Sequence, residues 1–453
     1  MKKQRLFAAL PLLLAGFCAT ALAVENITTP EQLFPQLDAI LKRAVAQSPR
    51  MLSRAIDLEI AENTRIIARS QLLPSIGGGL SLYQGQDKRT DLGGRAERLD
   101  VTKNYYSFSI TQPLFHWGDR RNAARVGEIQ QAIIQGQVRE AYRLLAQEVR
   151  ASYLRLIVNK LVQKRAMYNA EIARKNLVQA EERLAKKVIS EAQIFPIRID
   201  AERAQISLDR TNFEVENQKA SFARLTGGPV LGDDEIPDAI PQVTDQNESV
   251  QRLLAGFLAQ KEPISPEAVE YRNKQEIERI GLRSNKNRLK PKFNAVLAAT
   301  QDEQSYSQDI TNKYEVQSFV GGISVSWAIF DGFASGAAVR TSLARLRQMD
   351  LDYRALTENL AVAAQTQART LGFSYRSAAL GERLLVSGEG NLNYRSEQFA
   401  RGVISEEDVS TARVAFYNAQ IEATTYRMDY LSQLCTFLGT VQEDPVLANF
   451  TGK

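Results

Sequence analysis

Acid–base, nucleophilic and metal chemistry all need titratable side chains brought together, and this chain offers few. Its only histidine, His116, stands beside Trp117 at the end of an alternating segment. That place suits an interfacial aromatic position better than a general base. One histidine with cysteines far away at Cys18 and Cys435 does not make a metal-ligand cluster. Gly77-Gly78-Gly79 lacks the Lys and Ser/Thr of a phosphate loop and sits in a strand-like stretch, so closely packed backbone is the better reading. The arginines from Arg139 to Arg155 are interleaved with acids, which reads as a solvated helical face and not as a nucleic-acid surface. The expectation is a protein that is not an enzyme, holds no cofactor or metal and binds no nucleic acid.

The function must then come from architecture. The 453 residues are 44% hydrophobic and 24% charged, with 57 Lys+Arg against 52 Asp+Glu, a composition that excludes collagen-like, disulfide-framed and wholly disordered chains. No run of about 20 uninterrupted apolar residues is present to make a spanning helix. Any role inside a membrane must therefore come from strands. Lys2, Lys3 and Arg5 precede the apolar stretch Leu6–Ala15 and the small residues Ala19, Ala21 and Ala23, the pattern of a secretory signal over 1–23 with cleavage after Ala23. Phe17 before Cys18 argues against lipid attachment there. Cleavage removes three positive charges and one cysteine, leaving an exported, nearly neutral chain in which Cys435 has no internal disulfide partner.

The chain repeats itself. Val188-Ile189-Ser190-Glu191 recurs as Val403-Ile404-Ser405-Glu406, and Ser109–Phe115 corresponds to Ser324–Phe330, both at an offset of 215. Ser48-Pro49 and Pro74 answer Ser265-Pro266 and Pro291 at an offset of 217. Landmarks kept in one order at nearly one spacing indicate duplication. Each half reads as helix, strand, strand, long helix, tip, helix. The Ser-Pro pairs suit a helix start or a restart after a kink, and Pro74 and Pro291 close those helices.

Tyr106, Phe108, Ile110 and Leu114 alternate with Ser107, Ser109 and Thr111, and the copy keeps the phase with Phe319, Ile323, Val325, Trp327 and Ile329. Strands of about 10 residues with one oily and one wet face can cross a bilayer as a tilted barrel wall. Alternation alone favours a half-buried sheet in a soluble protein, but the export signal and the missing apolar helix reverse that balance toward the membrane. Four strands cannot close a spanning barrel, which needs at least about eight, so several copies must pool them. The long helices fall at about 120–187 and 336–401, with a seam of Val138, Tyr142, Leu145 and Val149. Each would span about 100 Å, twice the about 52 Å of the shorter helices at 37–71 and 191–225. That matching predicts a tall helical cylinder of short helices stacked in pairs beside each long one, with kinks or interruptions at Pro49 and Pro196.

The segments SITQPLFHWGDRRNA and SVSWAIFDGFASGAA, the proline spacing, the duplication and the paired tips resemble the TolC family of Gram-negative outer membrane efflux and secretion channels, from about Pro35 to Gly439. The resemblance implies an α+β membrane protein, a homotrimer with a long-helix α-barrel and a transmembrane β-barrel of four strands per protomer, twelve in all. It implies a passive duct in the outer membrane, its helical barrel projecting into the periplasm. The partners would be a periplasmic adaptor (membrane fusion) protein and an inner-membrane transporter of RND, ABC or MFS type.

The resemblance also places sites. The adaptor-docking tips fall on Lys187-Val188-Ile189-Ser190 and Gly402-Val403-Ile404-Ser405, the family commonly having glycine where Lys187 stands. Exposed Val and Ile at a hairpin tip are costly in water, which fits a docking partner, while a self-packed turn is the alternative. At the periplasmic aperture the family's first ring aspartate falls on Asp408 and the second on Thr411. Three copies of one carboxylate would attract cations and raise one another's pKa, whereas a single solvated acid would do neither. Tyr394, Arg395, Glu397 and Arg401 are candidates for closing contacts. Phe115, Trp117, Trp327 and Phe330 are expected at the membrane interface.

The expected organisation is a signal peptide at 1–23, a first repeat at 24–227 with strands at about 75–87 and 103–115, and a connector at 228–264. A second repeat follows at 265–439, with strands at about 292–300 and 316–330, and then a tail at 440–453. The leading functional expectation is the exit duct of a tripartite efflux pump or type I secretion system. The alternative is a periplasmic coiled-coil adaptor or scaffold without a channel, which has no use for four matched amphipathic strands.

Overall fold

The computed structural model describes residues 27–90, 92–306 and 309–449; the signal segment, with Cys18 and Ala23, lies outside the described residues. Helices α1 (Pro30–Leu33), α2 (Pro35–Gln47) and α3 (Pro49–Ser70) each open on a proline, where the missing N–H has no helical acceptor to lose. Strands β1 (Ser75–Thr90) and β2 (Ala96–Phe115) follow, then the hairpin of α4 (Asp119–Ala185) and α5 (Glu191–Thr226). After α6 (Asn247–Leu258) the plan recurs as α7 (Pro266–Lys286), β3 (Lys292–Tyr306), β4 (Asp309–Ser326), α8 (Ala334–Ala400) and α9 (Glu406–Thr440). Helices α4 and α8 are each 67 residues long. At the sheet-to-helix turns Trp117-Gly118 and Gly332-Phe333 both take two successive left-handed conformations, with φ 55° and 83°, then 64° and 68°. The duplication is therefore one of backbone geometry as well as of sequence.

The chain forms two compact units. One holds residues 57–136 and 269–354, the other the residues through Ile56 together with 137–268 and those from Ala355 onward. In the first, the strands make one antiparallel sheet in the order β1-β2-β3-β4. Beside it Ile129 and Ile133 of α4 pack with Ile280 of α7.

Three local expectations need correction. The fourth strand ends at Ser326, four residues short of Phe330, because its last partner is Lys292 and the preceding Pro291 has no N–H to continue the ladder. Ser48, with ψ 131°, separates α2 from α3 as Pro49 leads one to expect, whereas α5 runs through Pro196 without an interruption. Near the start of a 36-residue helix one missing hydrogen bond is outweighed by the turns on either side. The segment at 228–264 contains α6, whose Val250, Leu253 and Phe257 are buried on one face. Turn-forming residues earlier in the segment hid that short periodicity.

In the helical unit Val138, Tyr142, Leu145 and Val149 are all buried, and the buried stripe continues through Tyr153, Leu154 and Ile157. The Tyr153 ring meets Phe34 and Phe222 at centroid distances of 5.6 and 6.1 Å. Gly227 ends α5 with φ 69° against the break at Ser48, where an added Cβ would collide with the Gln47 carbonyl. Only glycine satisfies both demands.

Both ends of the described chain are fastened to α4 through Arg150, which is 1% exposed. Its guanidinium donates to both Asp444 carboxylate oxygens at 2.6 and 2.9 Å and to Glu31. Cys435 belongs to the same buried region, and burial pushes its thiol up to about 12, so it stays protonated. Arg427 donates to Glu382 at 2.5 and 2.6 Å and to the Ile240 carbonyl at 2.6 Å, which straps the segment after α5 onto α8 and α9. Removing one partner of a buried ion pair leaves the others uncompensated. Arg150→Ala is expected to lower stability by about 3–5 kcal/mol in denaturant unfolding. Arg203→Ala, at an exposed pair with Asp200, should change it by less than about 1 kcal/mol.

Candidate functional site: a two-faced sheet and two helical tips

Residues paired across a sheet share a face, so the register decides what each side presents. One face carries the rows Ile76–Ile110–Leu297–Gly321 and Gly78–Phe108–Ala299–Phe319, flanked by Ala295–Ile323 and Phe293–Val325. Toward the hairpin ends the rows change to Leu80–Tyr106–Gln301–Gln317 and then Leu82–Asn104–Glu303–Glu315. The other face carries Gly77–Ser109–Ala298–Val320 and Gly79–Ser107–Thr300–Ser318, side chains that are small or polar apart from the exposed Val320. The irregularity between Pro113 and Phe115 brings Phe115 opposite Phe293, on the apolar face. That phase change is not visible in the sequence. From Phe293 to Ala299 the apolar face covers about 20 Å along the strand at about 3.4 Å per residue.

The apolar face is uncovered within the chain. Ile76, Leu80, Phe108, Leu297, Phe319 and Ile323 are all exposed, Phe319 by 83%. Strands β1 and β4 are the edges of the sheet, each with one side unpaired. A sheet with an exposed apolar face and two long free edges would aggregate in water.

Where the sheet meets the helices, aromatic side chains gather. Phe115 packs edge-on against Trp117 at 4.8 Å, and Phe330 against Phe333 at 5.4 Å. The Trp117 indole donates to the Pro291 carbonyl at 2.7 Å and that of Trp327 to the Leu289 carbonyl at 2.9 Å. Both rings thus pair a satisfied N–H with an apolar body, the arrangement favoured at a water–hydrocarbon boundary. His116 differs from the expectation of an interfacial ring: it is 8% exposed. Arg120 Nε donates to its Nδ1 at 3.4 Å, and its Nε2 lies 2.8 Å from Asn294 Oδ1. Arginine can only donate, so Nε2 carries the proton and donates to Asn294.

The two tips close with the same hydrogen bonds. Lys187 N–H donates to the Leu184 carbonyl and Val188 N–H to that of Arg183, at 2.8 and 2.9 Å. Gly402 and Val403 repeat this with Phe399 and Gln398 at 2.8 and 3.0 Å. Lys187 adopts φ 56°, the left-handed position that glycine fills at Gly402 with φ 75°. Val188 and Val403 are exposed, while Ile189 and Ile404 are half-buried. The expectation of exposed isoleucines is corrected in part: valine is the fully exposed apolar side chain at each tip, and the isoleucine after it is half-buried.

Ser405 and Asp408 form a reciprocal cap on α9. Asp408 N–H donates to Ser405 Oγ at 3.2 Å, and Asp408 Oδ2 accepts from the Ser405 N–H and hydroxyl at 3.0 and 2.7 Å. The Ser405 hydroxyl and N–H, aided by the charge of Arg395, lower the carboxyl pKa of Asp408. Its capping contribution is therefore present above the ordinary carboxylate range and is lost as pH falls through the lowered value. Arg395 is thus brought near Asp408, whereas Tyr394 is exposed. Thr411 lines a groove of about 990 Å³ between the α4–α5 hairpin and the first turns of α9, together with Arg183, Gln193 and Glu406. Arg401 pairs with Glu397 at 3.8 Å on an exposed surface. No helix of the described residues is long and apolar enough to cross a membrane, and no group of three or more His, Cys, Asp or Glu among them could hold a metal ion.

Sequence comparison matches residues 40–186 and 278–437 to a family described as outer membrane efflux protein. No curated protein matches the chain. Among solved structures, the outer membrane protein VceC from Vibrio cholerae aligns with a TM-score of 0.60 at 15% identity, over 90% of this chain and 96% of that one. The Campylobacter jejuni CmeC outer membrane channel aligns at 0.66 and 14%, over 90% and 86%. The open-state Neisseria gonorrhoeae MtrE outer membrane channel aligns at 0.60 and 14%, over 90% and 89%. At such identities the likeness is one of fold.

A non-glycine residue in the left-handed region is strained by about 1–2 kcal/mol, partly offset by the greater chain entropy of glycine. Lys187→Gly should slow amide exchange at the first tip and stabilise it by about 0.5–1 kcal/mol, whereas Gly402→Val should speed exchange at the second. Equal effects of like sign would contradict the shared geometry.

Proposed function

The chain belongs to the outer membrane efflux protein family, and from that premise we propose that three copies assemble into a passive duct through the outer membrane of a Gram-negative cell. The observation that carries this reading is the four-stranded sheet with one exposed apolar face and two unpaired edges. Edge β4 of one copy pairs with β1 of the next, and three sheets close a twelve-stranded barrel, a size within the range of spanning barrels. The apolar rows face lipid, as the outward band of such barrels does. The small and polar rows face water in the lumen. The helical hairpins project into the periplasm, and Val188 and Val403 at their tips meet a periplasmic adaptor. That adaptor couples the duct to an inner-membrane transporter of RND, ABC or MFS type, in a tripartite efflux pump or a type I secretion system.

In this assembly three Asp408 carboxylates gather near the aperture and favour cations, with Arg395, Tyr394 and Thr411 beside them. The charge and the cap can be separated, because Asn at this position keeps a side-chain acceptor for Ser405. A periplasmic scaffold would leave the apolar sheet face without purpose, so that reading is the weaker one.

Extracted in detergent and added to planar bilayers, the mature chain should run as a trimer and give stepwise conductance. Asp408→Asn should keep the trimer and lower cation selectivity. Monomers without conductance would contradict the duct, and unchanged selectivity would remove Asp408 from the aperture.

A further inference from the structure

The duplicated sheet-to-helix turn differs chemically between its two copies. In the second, Asp331 Oδ2 accepts from the Ser335 N–H and hydroxyl at the start of α8, at 3.0 and 2.5 Å, and lies 3.7 Å from Arg288 Nε. At the offset of 215 its counterpart is His116, while Arg120 and Arg121 replace Ser335 and Gly336. The anion that the second turn carries covalently is therefore missing from the first, and two guanidinium groups stand nearby. Arg120 donates to Gln71 at 3.0 Å and to His116 at 3.4 Å, both without negative charge. Arg121 is exposed. The neighbouring carboxylate of Asp119 lies 3.7 Å from Lys292 Nζ.

These groups border a cavity of about 400 Å³ whose wall includes Leu72, Leu114, Phe115, His116, Arg120 and Arg121. Leu114 and Phe115 are about half exposed, and Phe115 continues the apolar face of the sheet. One end of the cavity is thus hydrocarbon-like and the other cationic. A free anion would use only the second end. We propose that this cavity binds an anionic phospholipid, its phosphate held by Arg120 and Arg121 and the start of its acyl chain laid along Leu72, Leu114 and Phe115. Each guanidinium offers a fork of donors suited to phosphate oxygens. The inference rests on the reading that the apolar face meets lipid, and it places the helix-proximal end of the sheet at the headgroups of the periplasmic leaflet.

The test reconstitutes the full mature chain in bilayers of equal phosphatidylglycerol and phosphatidylcholine, extracts it gently and identifies retained lipid by native mass spectrometry. Phosphatidylglycerol should be retained over phosphatidylcholine by about tenfold, because both present the same phosphate but the choline cation is repelled by the two guanidinium groups. Arg120→Gln with Arg121→Gln should bring the two lipids near parity. Arg121→Gln alone, at an exposed side chain that leaves the contacts of Arg120 intact, should give an intermediate ratio even if the double variant folds poorly. Arg203→Gln should leave the preference unchanged. Entry into bilayers with no anionic preference, or retention of bare phosphate alone, would overturn the lipid site and leave the barrel standing. Failure of the wild-type chain to enter bilayers at all would overturn both.

Discussion

Unpaired backbone N–H and C=O groups cannot face hydrocarbon, where each costs several kcal/mol that water would otherwise offset. Strands β1 and β4 leave such rows along both edges of a sheet whose one face is oily from Phe293 to Phe108. A single copy cannot satisfy them, since a twisted sheet of four strands is too narrow to meet itself. In the proposed assembly, lipid on the apolar face and the complementary edge of a further copy would satisfy both demands together. Duplication supplies two hairpins per chain, and the symmetry of the proposed trimer would supply the rest.

The helical unit answers a different constraint. Its hairpins are long, and their ends carry little beyond one exposed valine each, so their definition must come from elsewhere in the unit. Arg150 gathers Glu31 and Asp444 onto α4, and Arg427 binds Glu382 and the Ile240 carbonyl. These charges are buried at a desolvation cost that packed apolar residues would avoid. What they add is register, because a guanidinium with a bidentate partner fixes where two segments meet, whereas stacked leucines tolerate sliding. Residues distant in the sequence are thereby held to one long helix.

Much of this was legible in the residues, and the reasons are local. The strands announced themselves because serines alternate with large apolar side chains, and the tips because Val-Ile-Ser-Glu recurs at one offset. Features set by pairing were hidden. That Phe115 shares a face with Phe108 depends on an irregularity at Leu114, and that β4 stops at Ser326 depends on Pro291 across the sheet. His116 reads as interfacial from its neighbours, yet Asn294, on another strand, gives it a buried partner. The partnership of Arg150 with Asp444 joins residues 294 positions apart, which no periodicity could disclose. Asp408 was visible as an acid after a tip; its role as a cap followed from its spacing to Ser405 only once the helix start was placed.

The central claim is that edge β4 of one copy pairs with edge β1 of another and that the ring closes at three. It is tested most directly by cysteine cross-linking across those edges. Single cysteines replacing Gly77 or Gly79 on β1 would be combined with single cysteines replacing Ser318 or Val320 on β4, in a Cys435→Ser background. Oxidation in native membranes should give covalent dimers and trimers for at least one combination, with no band above the trimer. Absence of cross-links at every register, or a ladder continuing past three, would contradict the closed ring.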